Sequence, residues 1–166
     1  MKKVSIFGVI VLGLMSLSAQ VDAQMALRGG VGAIFDPITQ YGGHASLILP
    51  FGSKPGGVML AAEYYKKSGE TTIPISIRGL YKASGESASM YLGVGTGLIY
   101  KKSSGTLARL ISASQTKLLF SAVVGVNIKF SGPLGLFGEG TLDRALTSGA
   151  KNNLAAKAGL SITVSD

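Results

Sequence analysis

Between Met90 and Lys101 the chain reads Met-Tyr-Leu-Gly-Val-Gly-Thr-Gly-Leu-Ile-Tyr-Lys, and no other stretch restricts the possible folds so sharply. Met90, Leu92, Val94, Leu98 and Tyr100 share one parity with Thr96, while Gly93, Gly95 and Gly97 occupy the other between Tyr91 and Ile99. Side chains of an extended strand alternate faces with period two, so the segment is a ribbon with one greasy side and one nearly bare side. A soluble sandwich would fill its inner face with branched side chains. A narrow closed barrel whose greasy face meets lipid has reason to keep its inner face small.

Seven further segments repeat the alternation: Ala26–Phe35, Gly42–Phe51, Val58–Tyr65, Thr72–Tyr81, Lys117–Phe130, Leu134–Asp143 and Asn153–Val164. With Met90–Lys101 they make an even set, each of about ten residues, as a tilted membrane strand requires. Asp36-Pro37, Gly52 to Gly57, Ser84 to Ser87 and Ser131-Gly132-Pro133 carry turn chemistry between them. Pro74 falls inside the fourth segment, where it removes one ladder donor. The longest connection, Lys102 to Gln115, holds Leu107, Leu110 and Ile111 at helical spacing, which fits a short helix or a loop folded onto the rim. The expected fold is all-β: an eight-stranded antiparallel up-and-down transmembrane β-barrel.

The start of the chain bears on location. Lys2 and Lys3 precede an apolar run from Val4 to Ser18, and Val21-Asp22-Ala23 has the small-x-small form of a signal peptidase site. Residues 1–23 are therefore expected to be a removed signal peptide and 24–166 the barrel. The full chain has 16 basic and 8 acidic residues. Lys2, Lys3 and Asp22 leave with the leader, so the mature protein keeps a clear positive excess. That excess points to anionic surfaces; no basic-aromatic motif points to nucleic acid. The absence of cysteine excludes disulfides and thiol catalysis, and one histidine makes no metal spacing, so no cofactor is expected.

Two placements test the barrel independently of strand boundaries. Phe35, Tyr64, Tyr100 and Phe120 lie on the apolar parity toward one end, and Phe51, Tyr81 and Phe130 toward the other, with an aliphatic band between. Two lipid-water interfaces would produce such belts. If the first strand starts on the periplasmic side, the connections after the second, fourth and sixth strands are short, and those after the fifth and seventh are the longest.

The eight alternating strands, the glycine-spaced fifth strand, the leader and the segment Phe137-Gly138-Glu139-Gly140 together resemble small bacterial outer-membrane β-barrels of the OmpA/OmpX type. The resemblance covers the whole mature chain and implies an outer-membrane monomer in contact with outer-membrane lipids and lipopolysaccharide.

On the inner parity the charges are Arg28, Glu63, Arg78, Lys129, Glu139, Asp143 and Lys157. Folding the last two strands about their loop sets Glu139 against Lys157, and Glu63 with Arg78 is a second expected pair; both read as a structural plug. An eight-stranded lumen is about filled by its own side chains, so a general pore is not expected. Lys66, Lys67, Lys102, Arg109, Arg144 and Lys151 fall in the outer loops, with Lys101 at a strand edge, as ordinary solvated charge or as an attraction to anionic surfaces. The function expected is thus non-enzymatic, in envelope structure or surface binding. Two alternatives stand beside it. One is a lipid A modifying acyl hydrolase or transferase with His44 as base, near Ser46 and Asp143. The other is a soluble periplasmic barrel with its greasy rows turned inward on a hydrophobic ligand.

Overall fold

The computed structural model describes residues 25–35, 39–51, 55–67, 69–85, 87–103, 114–150 and 152–164. Eight strands follow one another: β1 (Met25–Phe35), β2 (Thr39–Pro50), β3 (Gly56–Lys67), β4 (Glu70–Ser84), β5 (Ala88–Ser103), β6 (Ser114–Ser131), β7 (Leu134–Ala145) and β8 (Asn152–Val164). Each pairs antiparallel with its sequence neighbours, and β1 also pairs with β8, from Met25 against Val164 to Ile34 against Ala155. The sheet closes into a barrel with no open edge, so every strand's ladder has a partner on both sides.

Parity decides what faces where. Leu92, Val94, Val124 and Leu160 are each more than half exposed on the outside, while Arg28, Glu63, Arg78, Glu139, Asp143 and Lys157 are buried inside. This is the polarity of a barrel with lipid for its outer solvent. It overturns the soluble alternative, because the described greasy rows face outward and the polar rows inward.

Every strand is longer than its apolar core, since the hydrogen-bonded ladder continues past the last greasy residue. Lys66 pairs with Thr71 and Lys67 with Glu70, and Gly69 just before β4 has φ of 85°. That left-handed backbone is one glycine adopts without strain. Lys66, Lys67, Lys102 and Arg144, expected in loops, therefore stand on β3, β5 and β7. Ladder pairing extends wherever two polar strands run side by side, and hydropathy does not register it. The expected signal peptide, Arg109, Lys151 and the helically spaced Leu107, Leu110 and Ile111 lie outside the described residues.

Pro74 faces inward and pairs with Ile99 of β5, while the β3–β4 ladder lapses between Ala62↔Ile75 and Tyr65↔Thr72. The lapse sits where the proline has no N–H to offer. A register shift between Lys129 and Ser131 on β6 places a bulge beside the Gly132-Pro133 turn.

Inside, the packing is layered. Ile48, Met59, Ala61, Leu80, Tyr91 and Val123 cluster in one apolar layer, and Ile34, Tyr65 and Ala155 form a second. Between them lies a band of charged and hydroxyl side chains.

Candidate functional site

The charged band is the most chemically loaded part of the molecule. Lys157, from the middle of β8, has Glu139 of β7 as its Cα partner, and its Nζ stands 3.4 Å from Glu139 Oε1. The same ammonium donates to Glu63 Oε1, which reaches it from β3 across the lumen. Arg78 of β4 places Nη2 3.6 Å from Glu63 Oε1 and 3.7 Å from Asp143 Oδ1, and its Nε donates to Ser121 Oγ at 2.7 Å. Ser121 in turn donates to Asp143.

Two phenols complete the shell. Tyr65 OH donates to Glu63 Oε2 and Tyr91 OH donates to Glu139 Oε2, each at 2.8 Å. Arg28 lies over the Tyr91 ring, 4.5 Å from its centroid. Three buried carboxylates (Glu63, Glu139, Asp143) thus face three buried fixed cations (Arg28, Arg78, Lys157). Charge removed from water is tolerated when it is paired and hydrogen-bonded in this way. The inner glycines make the room: Gly93, Gly95 and Gly97 of β5 let the sheet curl tightly beside Leu80, Arg78 and Ser76.

Parity alone places Glu63, Arg78, Glu139 and Lys157 inside the barrel. Sequence reasoning missed that Lys157 bridges two carboxylates and that Tyr65, Tyr91 and Ser121 serve the network. Their inward parity was readable, but Lys157 reaches Glu63 across 94 positions of sequence and Tyr91 reaches Glu139 across 48.

His44 lies at the centre of the same band. Its Nε2 is 3.1 Å from Ser46 Oγ and 3.7 Å from Glu139 Oε1, and its Nδ1 is 3.9 Å from Glu63 Oε1 without a hydrogen bond. The ring tilts against Phe137 with centroids 5.6 Å apart. Asp143, expected near His44, spends its contacts on Ser121 and Arg78. His44 and Ser46 are only 5% and 4% exposed, so neither meets bulk water or lipid.

Of the aromatic residues, Phe35, Tyr64 and Phe120 are exposed, with Tyr100 half-buried, toward the long-loop end; Phe51, Tyr81 and Phe130 are exposed toward the short-turn end. Tyr41, 70% exposed, joins the first group. It was missed because β2 begins at Thr39, three residues before the greasy alternation. At the long-loop end Lys66, Lys67, Lys101, Lys102 and Arg144 sit on strand ends, and Lys117 of β6 joins them.

No protein family matches the chain, and no curated protein sequence does. Solved structures do match. The Neisserial surface protein A is 12% identical, with a TM-score of 0.64 over 86% of this chain and 97% of that one. Ail of Yersinia pestis, crystallised with the heparin analogue sucrose octasulfate, is 11% identical, with a TM-score of 0.57 over 86% and 97%. The outer membrane enzyme PagL is 15% identical, with a TM-score of 0.53 over 84% and 99%. At such identities the likeness is one of fold, and the fold is the small eight-stranded outer-membrane barrel of the OmpA/OmpX type.

Proposed function

We propose that this chain works as a monomeric, non-enzymatic barrel of the bacterial outer membrane, serving envelope structure and holding anionic surface groups on a cationic outer rim. The supporting observation is the charge of that rim. Lys66, Lys67, Lys101, Lys102, Lys117 and Arg144 gather there, and with Asp143 turned inward, Glu70 is the one acidic residue among the rim's described residues. Lipopolysaccharide phosphates match this field, and the two aromatic groups would seat the barrel at the two interfaces. Mid-lumen, Arg78, Tyr65 and Met59 have no exposed surface, which favours a plugged barrel over a diffusion pore.

Ail binds a sulfated heparin analogue in its crystal, and a sulfated polyanion is a convenient probe of this rim. The refolded protein in dodecyl maltoside is expected to stay on immobilised heparin at low salt and to be released as salt screens the rim. The Lys66→Gln/Lys67→Gln/Lys102→Gln variant should elute at clearly lower salt. Identical elution of the two would remove the rim from the reading.

The second reading, lipid A chemistry with His44 as base, has the His44–Ser46 contact in its favour. Burial argues against it: an acyl chain lying on β2 meets the outward Ala45 and Leu47, while His44 and Ser46 point into the filled lumen. Cells expressing His44→Ala are expected to yield lipid A with the same acylation pattern as wild type. A change confined to the active-barrel strain would reverse the assignment.

A further inference from the structure

Where the short turns gather, the lumen opens into a depression lined in part by Arg28, Lys82, Tyr91, Asn127, Lys129 and Thr163. Among the described residues that line it, three are cations and none is acidic. Lys82 and Lys129 are exposed, and Lys82 feels the like charges of both Lys129 and Arg28. Like charges gathered with no acidic residue in the described lining repel, and an anion seated among them would relieve that repulsion.

Arg28 supplies a second, independent observation. It is 4% exposed, with its guanidinium 4.5 Å from the Tyr91 centroid and 5.3 Å from the Phe137 centroid, and its Nε and Nη1 have no hydrogen-bond partner among the described residues. Among the described residues the carboxylate oxygen it meets, Glu139 Oε2, is 3.9 Å away and already accepts from Tyr91. An arginine pinned in place with unused donors is a fixed positive charge looking for an acceptor. Asn127 accepts from Ser161 through Oδ1 at 2.7 Å, which leaves its NH₂ as a further donor. Lys82, Lys129 and Asn127 belong to neither the long-loop rim nor the charged band around Lys157.

We propose that this mouth binds a phosphate-type oxyanion from the compartment onto which the short turns open, with Lys82 and Lys129 as rim contacts and Arg28 as the charge at its floor. A doubly charged oxyanion suits three cations better than a single carboxylate does. Free phosphate and the phosphate monoester of a larger molecule share that chemistry.

The test is isothermal titration calorimetry on the refolded protein in dodecyl maltoside, with inorganic phosphate, glycerol 3-phosphate and acetate as probes. Wild type is expected to bind phosphate at a single saturable site, and Lys82→Gln/Lys129→Gln to bind at least about tenfold more weakly, each lost charge-assisted bond being of that order. Both lysines are exposed, so the variant should keep the barrel, checked by its gel migration before boiling. Tighter binding of glycerol 3-phosphate would identify an esterified phosphate as the ligand, and no gain over phosphate would identify the free ion. Absence of phosphate binding, unchanged affinity in the variant, or acetate binding as well as phosphate would each overturn the proposal.

Discussion

Alanine placed at both Gly95 and Gly97 is expected to prevent the barrel from forming. A Cβ at Gly95 would overlap the Ile77 carbonyl and lie 2.6 Å from Arg78 Cα. At Gly97 it would overlap the Ile75 carbonyl and lie 2.7 Å from Ser76 Cα. The obstacles are backbone of β4, which cannot rotate aside as a side chain can. Overpacking usually costs about 1–3 kcal/mol, and backbone overlap at two adjacent registers belongs at or above the top of that range for each site. Against a total stability of roughly 5–15 kcal/mol, the pair should remove most of the margin. The measurement is migration in a denaturing gel with and without boiling after refolding in detergent. Wild type should show two positions and the double variant only that of the unfolded chain. Gly29→Ala provides the contrast, since a Cβ there meets nothing within 4 Å. Wild-type behaviour of the double variant would mean that β4 and β5 move apart at little cost.

Lys157→Met is expected to cost about 3–5 kcal/mol, the usual penalty for removing one partner from a buried ionic group. Lys157 is the cation shared by Glu63 and Glu139, and the substitution leaves two buried carboxylates that Arg78 and Arg28 reach only at 3.6 Å and 3.9 Å. The loss should appear as a lower urea midpoint for unfolding from phospholipid vesicles. Adding Glu63→Gln removes one uncompensated charge and should return part of the stability, although Glu63 also accepts from Tyr65. If Lys157→Met unfolds at the wild-type midpoint, the band fills space without contributing net stability. If the second substitution worsens the first, the defect lies in packing and not in charge.

Much of the architecture was legible because a barrel strand writes its two solvents into alternate residues. Leu118, Phe120, Val124 and Ile128 announce lipid on one face of β6, and Ser121, Gly125 and Asn127 announce a crowded lumen on the other. Strand ends were less legible. Lys66 and Lys67 look like loop by composition, yet they pair with Thr71 and Glu70, because backbone hydrogen bonding is indifferent to side-chain polarity once the hairpin is in register. Tyr41 escaped notice for the same reason, standing just outside the greasy alternation but inside the ladder.

At the candidate sites the division follows sequence distance. Facing of Glu139 and Lys157 is readable because β7 and β8 are consecutive strands of one hairpin. The reach of Lys157 to Glu63, of Arg78 to Ser121 and Asp143, and of Tyr91 to Glu139 is not, since these contacts join strands that are not adjacent in the sheet. Alternation alone determined the eight strands, their inside and outside, and the separation of aromatic residues to two ends. Only closure of the sheet decided which inward side chains meet across the lumen, left Arg28 with unused donors, and buried His44 and Ser46 away from lipid. Parity is a property of each strand by itself, whereas contacts across the lumen depend on the stagger of all eight strands at once, and a one-dimensional pattern does not carry that stagger.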